Sequence, residues 1–365
     1  MSEKRTSVDI HRLLNMVVDK NASDLHITAY SPPAMRIDGK LYKLKTAPLT
    51  PADTQEIAYS LLTERQRKTF ETENEVDMSF KWKEKGRFRA NFFRQQGSVA
   101  GALRLIPTSI MPLAKLGLPT VVEDVIDKPN GLVLVTGSTG SGKSTTLASM
   151  IDEINNRHRG HILTIEDPIE FLHQHKNCIV NQREVGSDTF SFAAALRYAL
   201  RQDPDFVLVG EIRDRETMEI ALKIAETGHL TMATLHTNSA VQTIHRILDF
   251  FPSEQQDAVR TQLSFSLQCI ISQSLLKRED VKGGRVLACE LLMPNQAIRH
   301  LIRDDKTHQI YSQMQIGQKN SGMQTYNQAL VRLVQLRVIS KEHAQEYSPD
   351  RQEFDKMIAS ADTGK

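Results

Sequence analysis

The chain has 365 residues, enough for two or three domains each with its own core, and a formal net charge of only +2. That balance excludes a global basic field of the kind that nonspecific nucleic-acid binders carry, and no apolar run reaches the ~18 residues of a membrane-spanning helix. Residues 1–19 lack a signal-peptide core, and Cys178, Cys269 and Cys289 show neither CxxC nor disulfide-framework spacing. A cytoplasmic, soluble protein with buried thiols is expected.

Ile10, Leu13, Leu14 and Val17 recur at helical spacing, which predicts an opening amphipathic helix with a core-facing stripe. Asp38-Gly39, within residues 35–42, predicts a hairpin turn. Thr50-Pro51 reads as a cap with proline in the first turn, starting a helix to about Phe70. Strand-like runs follow at 76–82, 87–94 and 99–106, separated by Gly86 and Gly97, and complete a small α+β domain over residues 1–107. Residues 108–119, rich in proline, predict a semi-rigid linker.

Strands and helices then alternate: strands at 131–136, 161–166, 206–210 and 230–235, and helices after Lys143 and near 192–200 and 217–225. Such alternation predicts a largely parallel sheet covered on both faces, here over 120–275. After Pro252 the pattern is mainly helical, giving a helical region at 276–348 and a polar, loosely ordered tail at 349–365.

Gly137, Ser138, Thr139, Gly140, Ser141, Gly142, Lys143, Ser144 and Thr145 fit the phosphate-binding pattern G-x-x-x-x-G-K-[ST] between an apolar strand and a helix. Glycines let successive N–H groups point inward, Lys143 reaches the β- and γ-phosphates, and the Ser144 hydroxyl can ligate Mg²⁺. A chance glycine turn would not supply the lysine, the hydroxyl and the strand–helix context together. The segment binds a nucleoside triphosphate.

Phe206 to Val209 leads through Gly210 to Glu211, the form of a Walker B element whose acid holds Mg²⁺, with a helix-capping carboxylate as the bland alternative. Glu166 and Asp167 end another strand, and Glu166 is suited to orienting the attacking water; Asp167 before Pro168 is equally suited to capping a turn. His229 and His236 flank a third strand and can contact a γ-phosphate, although a lone histidine is more often structural. Arg89 and Arg104 lie on first-domain strands, where a solvated face is the simplest account. Arg197 and Arg201, four apart, share a helix face and are equally ambiguous.

Taken together, the P-loop, ILTIEDPIEF, LRQDPDFVLVGEIRD and TGHLTMATLHTNSA make the chain resemble the secretion ATPases of the type II/type IV pilus superfamily. Ser23-Asp-Leu-His26, Gln182 to Gly186 and residues 297–304 resemble its pilus-retraction branch. The resemblance implies a homohexameric ring of N-terminal PAS-like α+β domains and C-terminal RecA-like P-loop ATPase domains with a helical C-terminal part. It also implies ATP and Mg²⁺ as cofactors and Glu166 as catalytic carboxylate. It further implies Ser144 and Glu211 at the metal, His229 and His236 as γ-phosphate sensors, and Arg89 and Arg104 as arginines acting on a neighbour's nucleotide. Arg197 and Arg201 would line the same site.

The implied partners are an inner-membrane pilus platform protein, pilins indirectly, and a paralogous accessory ATPase, with the motor peripheral at the inner membrane and no nucleic acid bound. Two departures stand out: Ser138 replaces the branch's usual proline, and AIRHLIRD replaces AIRNLIRE. A pilus-extension or secretion ATPase and an accessory retraction ATPase are the alternatives within the superfamily. Outside it stand a RecA-like nucleic-acid translocase, which would need a basic or aromatic channel, and a nucleotide-gated module without turnover.

Overall fold

A computed structural model describes residues 9–37, 39–83, 86–107, 109–281 and 283–363. The chain divides into two compact units, one of residues 1–109 with 170–172 and one of 110–169 with 173–365.

In the first unit the helices are α1 (Ile10–Asp19), α2 (Pro51–Leu61) and α3 (Glu64–Glu73). Its strands are β1 (Asp24–Ile27), β2 (Ala34–Ile37), β3 (Lys40–Lys43), β4 (Glu75–Trp82), β5 (Gly86–Gln95) and β6 (Ser98–Ile106). The strands form one antiparallel sheet in the order β3-β2-β1-β6-β5-β4. Alternation sorts the faces: Phe88, Ala90 and Phe92 of β5 are buried, whereas Arg89 is exposed on the other side. Ile10, Leu13, Leu14 and Val17 of α1 join that core, as their spacing requires.

The single helix expected from Thr50 to about Phe70 is in fact two. Thr63 and Gln66 form a second capping box, and Leu62 is extended at φ −81°, ψ 134°, which ends α2 before α3 begins. The expected Asp38-Gly39 turn joins β2 to β3, with Gly39 at φ 78°; Asp38 itself lies outside the described residues. The four-residue strand β1 was not anticipated.

The second unit carries strands β7 (Gly131–Thr136), β8 (His161–Glu166), β9 (Ile179–Glu184), β10 (Phe206–Val209), β11 (Leu230–Leu235), β12 (Leu267–Lys277) and β13 (Arg285–Leu292). Its helices are α4 (Lys143–Arg157), α5 (Phe192–Ala199), α6 (Arg215–Glu226), α7 (Ala240–Asp249), α8 (Ser253–Ser266) and α9 (Gln296–Arg303). The chain closes with α10 (Ile310–Ser321), α11 (Tyr326–Gln335), α12 (Lys341–Tyr347) and α13 (Arg351–Thr363). The sheet runs β13-β12-β7-β11-β10-β8-β9, parallel throughout except where β13 pairs antiparallel with β12. Every residue of β7 and β11 is buried, because helices cover both faces. Leu132 and Leu134 face one hydrophobic cluster, Val133 and Val135 the other.

The stretch after Pro252 is not helical alone, since β12 and β13 extend the sheet there. Short apolar runs such as Cys269-Ile-Ile271 carry no period that separates strand from helix. The polar tail is likewise not loose. It forms α13, whose Phe354 and Ile358, four apart, are buried.

Helix α9 carries the AIRHLIR segment with Ile298 and Ile302 buried. Its basic residues differ in kind. Arg299 points inward and donates from Nη1 to the carbonyls of Ser264 (2.6 Å) and Phe265 (2.9 Å), closing the open end of α8. Arg303 instead donates to His300 Nδ1 at 2.7 Å and lies 5.6 Å from the exposed Phe265 ring.

Candidate nucleotide-binding site

The four central strands run in one direction, so β7, β11, β10 and β8 all deliver their C-terminal residues to one edge of the sheet. From β7 the chain enters the loop 137–142, with Gly140 and Gly142 at φ 81° and 92°. Gly137 has no alternative: a Cβ there would lie 2.3 Å from the Gln273 carbonyl oxygen and 2.6 Å from Ser141 Oγ. Gly142 precedes α4 without any side-chain cap, leaving the helix's first N–H groups for an anion.

Lys143 Nζ donates to the carbonyls of Gly137 (2.8 Å) and Ser138 (3.1 Å), so the ammonium lies over the loop itself. Burial lowers the lysine below its ordinary range, and the negative charge of Glu211 opposes that shift. Ser138 is exposed, and its carbonyl also accepts from Ser141 N at 3.2 Å. Ser144 and Thr145 follow in the first turn of α4, with Ser144 exposed, while Thr139 is exposed on the loop.

Glu211 follows β10 and meets Arg213 Nη2 at 2.7 Å and His236 Nε2, from the end of β11, at 3.1 Å. Burial alone would raise its carboxyl. The Arg213 hydrogen bond and the charges of Arg213, His236 and Lys143 outweigh burial and hold it below the usual glutamate range. Glu166, at the end of β8, is 8% exposed and accepts from Thr164 Oγ1 (2.7 Å) and Gln182 Nε2 (3.2 Å). The β8 and β10 ends approach closely at Gly210, where a Cβ would lie 3.2 Å from Glu166 Cα. Asp167 is exposed, and its charge together with the Glu211 bond helps keep Arg213 protonated.

The two histidines lie at opposite ends of β11. His229 precedes β11, whose first residue pairs with Gly131 at the start of β7, so it lies a whole strand, about 20 Å, from the loop. Its Nδ1 lies 3.2 Å from the Ile224 carbonyl and 3.4 Å from Thr227 Oγ1, at the end of α6. Within one chain the sheet thus places His236, and not His229, at the edge that carries the loop.

Arg197 on α5 donates from Nε to Glu216 of α6 at 2.8 Å, and the Arg201 guanidinium lies 6.0 Å from the Tyr198 ring. Neither contact involves the loop. In the first unit, Arg89 and Arg104 stand opposite each other on β5 and β6, both exposed. Arg104 Nε donates to Asp24 at 2.8 Å; burial would raise the Asp24 carboxyl, but the Arg104 and Ser23 hydrogen bonds and the nearby positive charge together outweigh it and lower it.

Two features were not read from the sequence. Gln273 of β12 donates from Nε2 to the Ser141 carbonyl (2.8 Å) and accepts from Thr146 Oγ1 (3.0 Å). Glu290 of β13, 3% exposed, accepts from Ala240 N at 2.7 Å, where α7 begins just beyond His236. Both lie more than 45 residues from their partners, being 132 and 50 apart in sequence, and no local pattern announces them.

A divalent cation fits the donor set. The Ser144 hydroxyl and the Glu211 carboxylate are hard oxygens suited to Mg²⁺, which takes phosphate and water oxygens for its remaining positions. Among the described residues no cluster of three or more His, Cys, Asp or Glu could hold a metal ion unaided, so the ion would come with the nucleotide.

The family described as "Type II/IV secretion system protein" matches residues 2–359. A protein of Pseudomonas aeruginosa described as "Type IV pilus retractation ATPase PilT" is 49% identical over 339 residues, covering 93% of this chain and 98% of that protein. "Type IV pilus ATPase PilU" of the same organism is 41% identical, covering 96% and 91% respectively. The crystal structure described as the pilus retraction motor PilT with bound ADP superposes with a TM-score of 0.90 at 55% identity, covering 96% of this chain and 100% of that one.

Proposed function

Because this chain belongs to the Type II/IV secretion system protein family, we propose that it is an ATP-hydrolysing motor that withdraws type IV pili. The observation that carries this reading is the convergence of Lys143, Glu166, Glu211 and His236 on one sheet edge. Loop N–H groups and the Lys143 ammonium bind and orient the phosphates, exchanging the carbonyls of Gly137 and Ser138 for phosphate oxygens. Glu166, poised by Thr164 and Gln182, accepts a hydrogen bond from the attacking water and holds it in line. His236 reports the γ-phosphate to Glu211 and Arg213.

Mg²⁺, held by Ser144 and through Glu211, would neutralise phosphate charge. Ring assembly supplies Arg89 and Arg104 to a neighbour's nucleotide, their paired forks suiting a phosphoryl group. Arg197 and Arg201 serve the same shared site. The motor is a homohexamer docked on an inner-membrane pilus platform protein from the cytoplasmic side. Among the described residues no helix is long and apolar enough to cross a membrane.

The test is gene deletion read by electron microscopy and a twitching assay. Surplus pili on immotile cells support retraction, whereas bald cells would mean extension. The likeness to PilU favours a second reading, an accessory retraction ATPase. That reading requires the purified chain alone to fail to restore retraction in the deletion strain. Mixing inactive Lys143→Ala with inactive Arg104→Ala subunits should restore part of the turnover, since mixed interfaces of one orientation combine an intact loop with an intact arginine pair.

A further inference from the structure

We infer that Gln273 is a positioning residue of the nucleotide site: its side-chain amide holds the phosphate loop open in the shape that receives the phosphates. This rests on the ATPase reading above and adds to it a residue outside the P-loop, the acidic strands and the histidine segment.

Gln273 is 2% exposed and uses both ends of its amide on the loop and its helix. Nε2 donates to the Ser141 carbonyl at 2.8 Å, and Oε1 accepts from Thr146 Oγ1 at 3.0 Å. The first bond sets the direction of one peptide plane. In a trans peptide the carbonyl and the following N–H point in opposite directions, so anchoring the Ser141 oxygen toward β12 turns the Gly142 N–H away from β12. That N–H belongs to the run of donors that a phosphate-binding loop must present on its inner side. Without the anchor this peptide is free to rotate, because Gly142 has no side chain to restrict it.

The second bond ties the same amide to the first turn of α4, which carries Lys143 and Ser144. The main chain of Gln273 adds a third contact, its carbonyl oxygen occupying the space a Cβ on Gly137 would need. One residue of β12 thus meets the loop at Gly137 and Ser141 and the helix that follows it at Thr146. The neighbouring pair, Thr136 Oγ1 and Ser272 Oγ at 2.7 Å, locks the two strands in register just before the loop departs. A core glutamine serving only stability would need partners, but not partners spread along the segment that cradles phosphate.

The experiment uses the full chain and a fluorescent ADP analogue. Gln273→Met keeps the volume and removes both bonds; Thr146→Val removes the anchor's second end, and Thr146→Ser restores its hydroxyl. Each Gln273→Met or Thr146→Val chain should bind the analogue about tenfold more weakly and show a similarly raised KM for ATP, with kcat changed less than about twofold. Thr146→Ser should match the wild type in both. A purely structural role would lower the melting temperature and leave the affinity and KM of the folded fraction unchanged, and that result overturns the inference. Should Gln273→Met fail to fold, the Thr146 pair decides alone. A wild-type chain that does not bind the analogue would instead count against the ATPase reading itself.

Discussion

At its carboxyl end β11 delivers His236 to within 3.1 Å of Glu211, while at its amino end His229 rests beside the Ile224 carbonyl that closes α6. Six strand residues separate two identical side chains, and the sheet makes one a member of a charged cluster and the other a helix neighbour. The same contrast holds across the sheet. Lys143, Glu166, Glu211 and His236 all lie at or beyond the carboxyl ends of strands, because there the parallel strands release backbone into loops beneath a helix start. The amino ends carry turns and caps. Position along a parallel strand, more than residue type, decides which of this chain's titratable groups can do chemistry.

The largest effect should come from the working edge. Lys143→Ala and Glu166→Gln should each reduce phosphate release by at least ~10²-fold, with Lys143→Ala alone also losing nucleotide binding. Undiminished hydrolysis in either would remove the chemistry from this edge. His236→Ala should lower kcat by roughly tenfold or more, whereas His229→Ala should leave kcat within about twofold and shift only the melting temperature. Equal losses of turnover would show that the amino end takes part, through another copy of the chain.

Glu211 and Glu290 sharpen the comparison through pH. Cations hold Glu211 below the usual glutamate range, so its stabilisation is present above that range and is lost as pH falls through and below it. Burial raises Glu290, against the N–H bonds from Ala240 and Tyr326; its contribution is full below the usual range and is lost as pH rises through the raised value. Melting temperatures across about pH 4 to 8 should therefore show a flatter acid limb for Glu211→Gln and a gain toward neutral pH for Glu290→Gln. The smallest effect on stability belongs to Arg104→Ala, expected to cost about 1 kcal/mol or less in urea unfolding whatever it does to turnover. That arginine is 71% exposed, and Asp24 keeps Arg36 at 3.6 Å.

What could be read from the residues alone divides along the same physical line. The loop, Glu166, Glu211 and His236 were legible because each is a local pattern at a strand end, where neighbours in sequence are neighbours in space. The start of α3 was equally legible in Thr63 and Gln66, but the helical pattern running from Thr50 concealed it. Strands β12 and β13 were not legible, since a buried strand and a short buried helix share one apolar composition. Gln273 and Glu290 belong to that hidden hairpin. Their meaning lies in contacts made 132 and 50 residues away, which only the folded chain brings together.

The AIRHLIRD stretch looks like a single word but has an inside and an outside. Arg299 is spent within the protein, its guanidinium desolvated enough to lower its pKa and committed to the end of α8. Replacing it therefore damages the joint at which α8 hands over to β12, whatever else the helix does. His300 and Asp304, with Lys306 just beyond, face water, and the half-buried Arg303 stands beside them, so these polar groups can meet another molecule. The replacement of asparagine by histidine falls on that outer side, where His300 Nδ1 supplies an acceptor to Arg303. A partner docking here reads that polar face, and a variant of Arg299 reports on folding.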